Sequence, residues 1–163
     1  MTELQIDVVA PDHPDARAAV TAYLRELDER FATGFDPEQA AHDEVEFTGD
    51  RGLFLVARVD GPGEGGVAGC GALRWLPDAP DGQGVAEIKR MWVDPARRGQ
   101  GLAGRLLARL ESEALGHARP LVRLDTHADL EAAIALYRRS GYREVPRYND
   151  NPYAQHWFEK RLS

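Results

Sequence analysis

VAEIKRMWVDPARRGQGLAGRLLARLESEALG, residues Val85 to Gly116, decides how the rest of this chain is read. It begins as a strand with polar residues on both sides and passes through the turn Arg98-Gly99-Gln100-Gly101-Leu102-Ala103-Gly104. An amphipathic helix follows at once: Leu102, Ala103, Leu106, Leu107, Leu110 and Ala114 recur at i, i+3/i+4 spacing, while Arg105, Arg109 and Glu113 face outward. Gly116 and Pro120 end it.

The start of that helix has no Ser, Thr, Asp or Asn to cap its first N–H groups, so those donors are left for another molecule. A lone Gly-x-Gly is most simply a tight turn whose amides bind water. Here free amides coincide with the positive end of a helix dipole, with glycines that admit foreign atoms to the backbone, and with Arg97 and Arg98. Together they suit a phosphate or pyrophosphate.

At 163 residues, 43% hydrophobic and 29% charged, the chain suits one compact domain, residues 1–163, with room for a core. The N-terminal stretch is acidic and lacks an apolar leader segment, and the apolar run Leu53 to Ala57 is too short to cross a bilayer. A soluble, cytoplasmic protein that does not engage a membrane is expected. Cys70 is the single cysteine and sits in an apolar strand pattern, so it reads as core. The five histidines lack the paired spacing of a metal site, and no metal is expected.

Charge is unevenly spread. Residues 1–60 carry 5 Lys/Arg against 14 Asp/Glu, and residues 61–163 carry 15 against 13. Nucleic acid is an unsuitable partner because no basic face is offered. An acidic lip suits a cationic partner, and a merely solubilising surface explains it equally well.

Around the opening stretch the order of elements is regular. Leu4 to Val9 alternates as a strand; a helix with Pro14 in its first turn buries Ala16, Val20, Tyr23, Leu24, Leu27 and Phe31 and ends at Gly34. Residues 35 to 51 have no strong period, with a short helix conceivable at Pro37 to His42 and an acidic patch at Asp43, Glu44 and Glu46. Gly52 to Arg58 and Val67 to Leu76 form an antiparallel hairpin around the glycine-rich turn at 60–66.

Val85 to Val93 alternates with Glu87, Lys89, Met91 and Val93 on one side and Ile88, Arg90 and Trp92 on the other. The strand–helix–strand order through Leu121 to Thr126 requires a parallel crossover, so the sheet is mixed. Asp129 can cap a last helix with the stripe Leu130, Ala133, Ile134 and Tyr137, and strands at Tyr142 to Tyr148 and Gln155 to Arg161 complete the chain.

The strand Ala86 to Val93, then Asp94-Pro95, Arg98-Gly99-Gln100-Gly101-Leu102-Ala103, Leu136-Tyr137 and Gly141-Tyr142 together resemble the GNAT superfamily of acyl-CoA-dependent N-acetyltransferases. The likeness in element order covers nearly the whole chain, and Arg98, Gly101 and Ala103 fill the family's acyl-CoA signature. The resemblance implies an α/β (α+β) fold: a mixed, mostly antiparallel seven-stranded sheet flanked by about four helices, its central parallel pair splayed into a V.

It also implies acetyl-CoA as co-substrate and an amine as acceptor, attacked directly through a tetrahedral intermediate, with no metal; relatives often form homodimers. By that resemblance Arg98, Gly99, Gln100, Gly101, Leu102, Ala103 and Gly104 hold the CoA pyrophosphate, and Met91, Trp92 and Val93 line the pantetheine arm. The resemblance places Glu87 as general base and Tyr137 as the acid that protonates the departing thiolate. Plain alternatives remain beside these: Glu87 as a structural ion pair, Tyr137 as core packing.

Relatives often carry Asn where Leu130 stands, which puts one contact to the pantetheine arm in doubt. For the acceptor the family uses stretches that here contain Phe31, Phe35, Asp43, Glu44, Tyr148, Asn149, Asn151 and Tyr153, and their acidic, aromatic character suggests a small cationic amine.

Two other readings stay open. Gly99-x-Gly101-x-x-Gly104 followed by Asp125 also spells a dinucleotide-binding fingerprint, although the preceding strand is polar and only one such unit fits. A non-catalytic acyl-CoA sensor or interaction module on the same fold is the other.

Overall fold

The computed structural model describes residues 4–31, 34–36, 44–59 and 66–163. Seven strands form one sheet: β1 (Leu4–Val9), β2 (Gly52–Val59), β3 (Val67–Leu76), β4 (Val85–Val93), β5 (Leu121–Thr126), β6 (Arg143–Val145) and β7 (His156–Arg161). Their order is β1-β2-β3-β4-β5-β7-β6, with β4–β5 the parallel pair and every other neighbouring pair antiparallel. Three α-helices accompany it among the described residues, α1 (Pro14–Arg30), α2 (Leu102–Gly116) and α3 (Glu131–Arg139), with short 3-10 turns at Glu44–Phe47 and Pro95–Arg97. The helix considered at Pro37 to His42 lies outside the described residues, as do Asp43 and most of the β2–β3 turn.

Helix α2 covers one face of the sheet. Leu107 and Leu110 pack with Leu55, Leu73, Ile88 and Leu124, and each fully buried leucine contributes roughly 1.5–3 kcal/mol. Close approach requires Gly71, where a Cβ would stand 2.9 Å from a Leu110 methyl. On the opposite face Ala16 and Ala19 of α1 and Phe47 pack against Phe54, Val56, Cys70 and Ala72. Cys70 is fully buried; its thiol donates to the Arg90 carbonyl at 3.1 Å and burial pushes it up to about 12.

The start of α1 carries the expected proline and, beyond expectation, a side-chain cap. His13 caps α1 through Nδ1, which accepts from the Asp15 N–H at 3.1 Å, and Pro14 occupies the first turn. The far end differs from expectation: α1 stops at Arg30, and Phe31 is extended, three residues before Gly34. In α3 the cap position is Leu130 rather than Asp129, because the Asp129 and Leu130 N–H groups are taken by His127. The strand expected over Tyr142 to Tyr148 is shorter, with Tyr142 in the core and Tyr148 drawn into a polar cluster.

Strand β4 carries the largest correction. Cys70 pairs with Trp92 and Ala72 with Lys89, leaving one β3 residue opposite two of β4, and Arg90 in that bulge has φ of +54°. Alternation reverses there. Glu87, opposite Arg74, and Lys89, opposite Ala72, lie on the α1 face, whereas Met91 and Val93 join Ile88 on the α2 face. The expected common face for Glu87 and Met91 is therefore not what the sheet forms.

The parallel pair also separates. Pairing between β4 and β5 runs from Val85–Leu121 to Ile88–Leu124 and ends there, although β4 continues to Val93 and β5 to Thr126. The V implied by the resemblance opens at this point, at the C-terminal ends of two parallel strands.

Candidate functional site

Gly101 caps α2 in the left-handed region, φ +77°, with no side-chain hydrogen bond, and Gly99 is also left-handed at +81°. The first helical bond is Arg105 N–H to the Gly101 carbonyl at 3.2 Å, so the amides of Leu102, Ala103 and Gly104 precede the helical ladder. A Cβ at Gly99, Gly101 or Gly104 would meet no atom within 4 Å. These donors border a cavity of about 310 Å³ that Met91, Trp92 and Val93 also line. Of the expected cofactor residues Arg98, Gly99, Gly101, Leu102, Ala103 and Gly104 line it as well; Gln100 does not. Such a site fits a diphosphate joined to an extended arm.

Arg98 serves the cradle through its backbone more than its charge. Its guanidinium binds both oxygens of Glu26, at 2.6 and 2.8 Å, and its Nε donates to the Val93 carbonyl at 3.0 Å. Glu26 also accepts from Trp92 Nε1 at 3.2 Å and Arg30 at 3.3 Å, tying the second half of α1 to the glycine turn. Arg97 and Arg139 line the cavity and supply positive charge there.

A second cavity of about 130 Å³ lies in the fork between β4 and β5. Six residues line both cavities: Tyr23, Leu27, Met91, Leu130, Ala133 and Tyr137. Tyr137 packs with Tyr142 and Phe158, and its hydroxyl donates to Met91 Sδ at 3.8 Å. Desolvation, and next the charge of Asp125, holds that phenol well above the usual tyrosine range.

Rings wall the smaller cavity. Phe31 stacks on His127 at 4.1 Å, Phe35 lies 4.6 Å from Tyr153, and the Asp36 N–H donates to the Tyr153 hydroxyl at 2.8 Å. Of the residues expected at the acceptor, Phe31, Phe35 and Asn151 line it, and so does Tyr153. Tyr148 and Asn149 do not. The Tyr148 hydroxyl donates to Glu87 Oε2 at 2.5 Å, and Asn149 Nδ2 to Glu87 at 3.3 Å and Asp125 at 2.5 Å.

Glu87 is fully buried and lines neither cavity. Its other oxygen faces Arg74 Nε at 3.3 Å and Lys89 Nζ at 3.6 Å, and Lys89 in turn binds Asp125 at 3.0 Å across the fork. In this conformation its carboxylate opens onto neither cavity. These contacts form a cluster that links β4, β5 and the last loop where the strands part, the geometry of an ion-pair role for Glu87.

The acetyltransferase (GNAT) family model matches residues 20–142. The chain belongs to that family. A GNAT chain is an acyl-CoA-dependent acetyltransferase, and the single parallel pair of this sheet sets aside the dinucleotide-binding reading. The chain is 36% identical over 126 residues to an IAA acetyltransferase of Azospirillum brasilense, covering 76% of each. Among solved structures it is similar to a protein assigned as an acyl-CoA N-acyltransferase from Klebsiella pneumoniae, at 31% identity, TM-score 0.70 and 98% of each chain. A GNAT acetyltransferase from Staphylococcus aureus shares the fold at TM-score 0.78 and 14% identity, over 99% of this chain and 100% of its own.

With the GNAT frame in place, two site residues stand out that sequence reasoning passed over. Tyr23 sits on an apolar helical stripe where nothing separates it from core, yet it lines both cavities and desolvation raises its phenol. His127 lies just beyond β5, and its position past the end of a parallel strand was a usable signal, since open α/β sheets bind ligands there. Among the described residues no group of His, Cys, Asp or Glu is placed to hold a metal, and no helix is long and apolar enough to cross a membrane.

Proposed function

We propose that this acetyltransferase moves the acetyl group of acetyl-CoA directly onto the nitrogen of a small amine. The observation that carries the reading is the junction of the two cavities at Met91 and Tyr137, where β4 and β5 part. The larger cavity takes the CoA arm and the smaller takes the acceptor.

An amine near pKa ~10 must lose a proton before its lone pair can attack the thioester carbon. The carbonyl oxygen then carries the charge of the tetrahedral species, stabilised by a backbone N–H near Met91. As that species collapses the C–S bond breaks, and the Tyr137 hydroxyl donates its proton to the thiolate. A phenol raised by burial keeps that proton through neutral pH.

Glu87 has a positioning role in this scheme, and water in the fork relays the amine proton to bulk solvent. Glu87→Gln lowers the unfolding free energy by about 1–3 kcal/mol, measured with denaturant, because Arg74 and Lys89 lose a shared carboxylate. It leaves the acid limb of the pH–rate profile in place; disappearance of that limb would return Glu87 to the role of base.

Acidic groups that suggested a cationic acceptor are engaged elsewhere. Glu44 binds Arg17 at 3.1 Å on the surface, Glu46 binds Arg74 at 3.3 Å, and Asp43 lies outside the described residues.

Acetyl-CoA at 100 times its dissociation constant adds about 2.7 kcal/mol to the folded state, and NAD adds none. Thiol release with amines then separates an enzyme from a sensor: binding without release under every acceptor means a non-catalytic module.

A further inference from the structure

The junction of the two cavities offers few side-chain polar atoms. Of the six residues that line both, Leu27, Leu130 and Ala133 are hydrocarbon and Met91 brings a thioether, which leaves the hydroxyls of Tyr23 and Tyr137. They arrive from opposite sides of the sheet. Tyr137 belongs to the core on the α2 face, and Tyr23 stands on α1, whose Ala16 and Ala19 pack against the other. Across the fork the two phenols are close enough to act on one another electrostatically.

Acetyl transfer to an amine moves two protons at that junction: one leaves the nitrogen and one reaches the sulfur. Tyr137 serves the sulfur. The carboxylate and the imidazole of the smaller cavity are already engaged. Asp125 accepts from Lys89 with both oxygens, from Asn151 with Oδ1 and from Asn149 with Oδ2, and His127 Nδ1 accepts from the Asp129 N–H at 2.9 Å. Among the described residues the Tyr23 hydroxyl has no hydrogen-bond partner. Desolvation, then nearby Tyr137, Cys70 and Asp125, raise that phenol against the opposing charge of Arg90, so it keeps its proton at neutral pH. A neutral hydroxyl both accepts and donates, and can pass a proton on without holding an extra one.

We infer that the Tyr23 hydroxyl orients the attacking nitrogen and hands its proton to the relay water. The inference deepens the acetyl-transfer reading and rests on it. Attack forms the C–N bond, leaving the nitrogen positive and the carbonyl oxygen negative. An N–H proton passes to the Tyr23 oxygen as the Tyr23 O–H proton passes to water, so the phenol is neutral before and after and the proton ends in solvent. The C–S bond then breaks with its electron pair on sulfur; Tyr137 protonates that thiolate and regains a proton from solvent.

Tyr23→Phe tests it by thiol release with n-butylamine, phenethylamine, L-phenylalaninamide and spermidine as probe amines. With the fastest of them kcat falls about ten- to a hundredfold, the range of one hydrogen bond to a charged nitrogen, while amine KM and the acetyl-CoA dissociation constant stay within about twofold. The solvent deuterium isotope effect on kcat rises, because proton loss from nitrogen becomes the slow step. A packing role would move KM or the dissociation constant and leave the isotope effect alone. The unfolding transition stays where it is, since the hydroxyl has no partner to lose.

Where the wild type releases thiol, three outcomes overturn the inference alone: unchanged kcat, a loss matched by weaker acetyl-CoA binding at an unchanged isotope effect, or a variant that does not fold. A wild type that binds acetyl-CoA and releases no thiol with any probe removes the acetyl-transfer reading, and the inference with it.

Discussion

Tyr137→Phe lowers kcat at saturating acetyl-CoA by roughly 10²–10⁴-fold, the range of a positioned acid, and changes the unfolding free energy by less than about 1 kcal/mol. The two numbers diverge because of what the hydroxyl touches. Its hydrogen bond is to a thioether at 3.8 Å, a weak acceptor, so little folded-state energy is lost with it. The ring keeps its contacts with Tyr142, at 5.9 Å, and Phe158, at 6.2 Å. Chemistry loses much more, since the hydroxyl belongs to the wall shared by both cavities.

The pH behaviour follows from the direction of the shift. A phenol raised above its usual value stays protonated below the ordinary tyrosine pKa and gives up its proton only as pH climbs through the raised one. The acid form therefore persists across neutral and mildly alkaline pH, and the wild-type profile shows no alkaline decline there from Tyr137. The variant still gains stability from acetyl-CoA. Full turnover by Tyr137→Phe would move the role to Tyr23, the other tyrosine lining both cavities.

What the sequence disclosed and what it hid divides by range. The α2 stripe and the uncapped glycine turn were legible because each is settled within a few residues: periodicity fixes the helix face, and the missing cap leaves the amides open. The fork was legible only through the resemblance. The Arg90 bulge was not, because arginine has no preference for φ of +54°, and only pairing with β3 imposes it. One reversed residue then moved Glu87 away from Met91.

The last loop failed for the same reason. Tyr148 and Asn149 are 61 and 62 residues from Glu87, and no local pattern tells an aromatic that walls a pocket from one that closes a buried carboxylate. Of the residues that family position suggested for the acceptor, Phe31, Phe35 and Asn151 line the smaller cavity, whereas Tyr148 and Asn149 turn to the buried Glu87. The Glu26–Arg98 pair, 72 residues apart, was hidden too, and it ties α1 to the glycine turn proposed for the CoA diphosphate.

Gly104→Asp raises the acetyl-CoA dissociation constant at least about 100-fold, roughly 2.7 kcal/mol, while the free protein becomes no less stable. Stability and binding respond oppositely because the first turn of α2 favours a negative charge whichever molecule supplies it. In the free protein an aspartate there interacts well with the helix dipole, by about 0.3–1 kcal/mol, and replaces a glycine that costs a helix roughly that much. Its Cβ meets nothing within 4 Å, so no strain offsets the gain.

With acetyl-CoA present the same carboxylate occupies the amides proposed for the pyrophosphate. Like charges about 4 Å apart repel by about 4 kcal/mol at the effective dielectric of a protein surface, more than the predicted loss of affinity. Gly104→Ala separates the causes, adding a methyl without charge: it stabilises the helix by about 1 kcal/mol, and whatever affinity it loses is steric. Calorimetry at one fixed ionic strength reads both variants, because salt screens the repulsion. An aspartate that stabilises the protein and leaves acetyl-CoA affinity intact would show that the diphosphate is held somewhere other than the start of this helix.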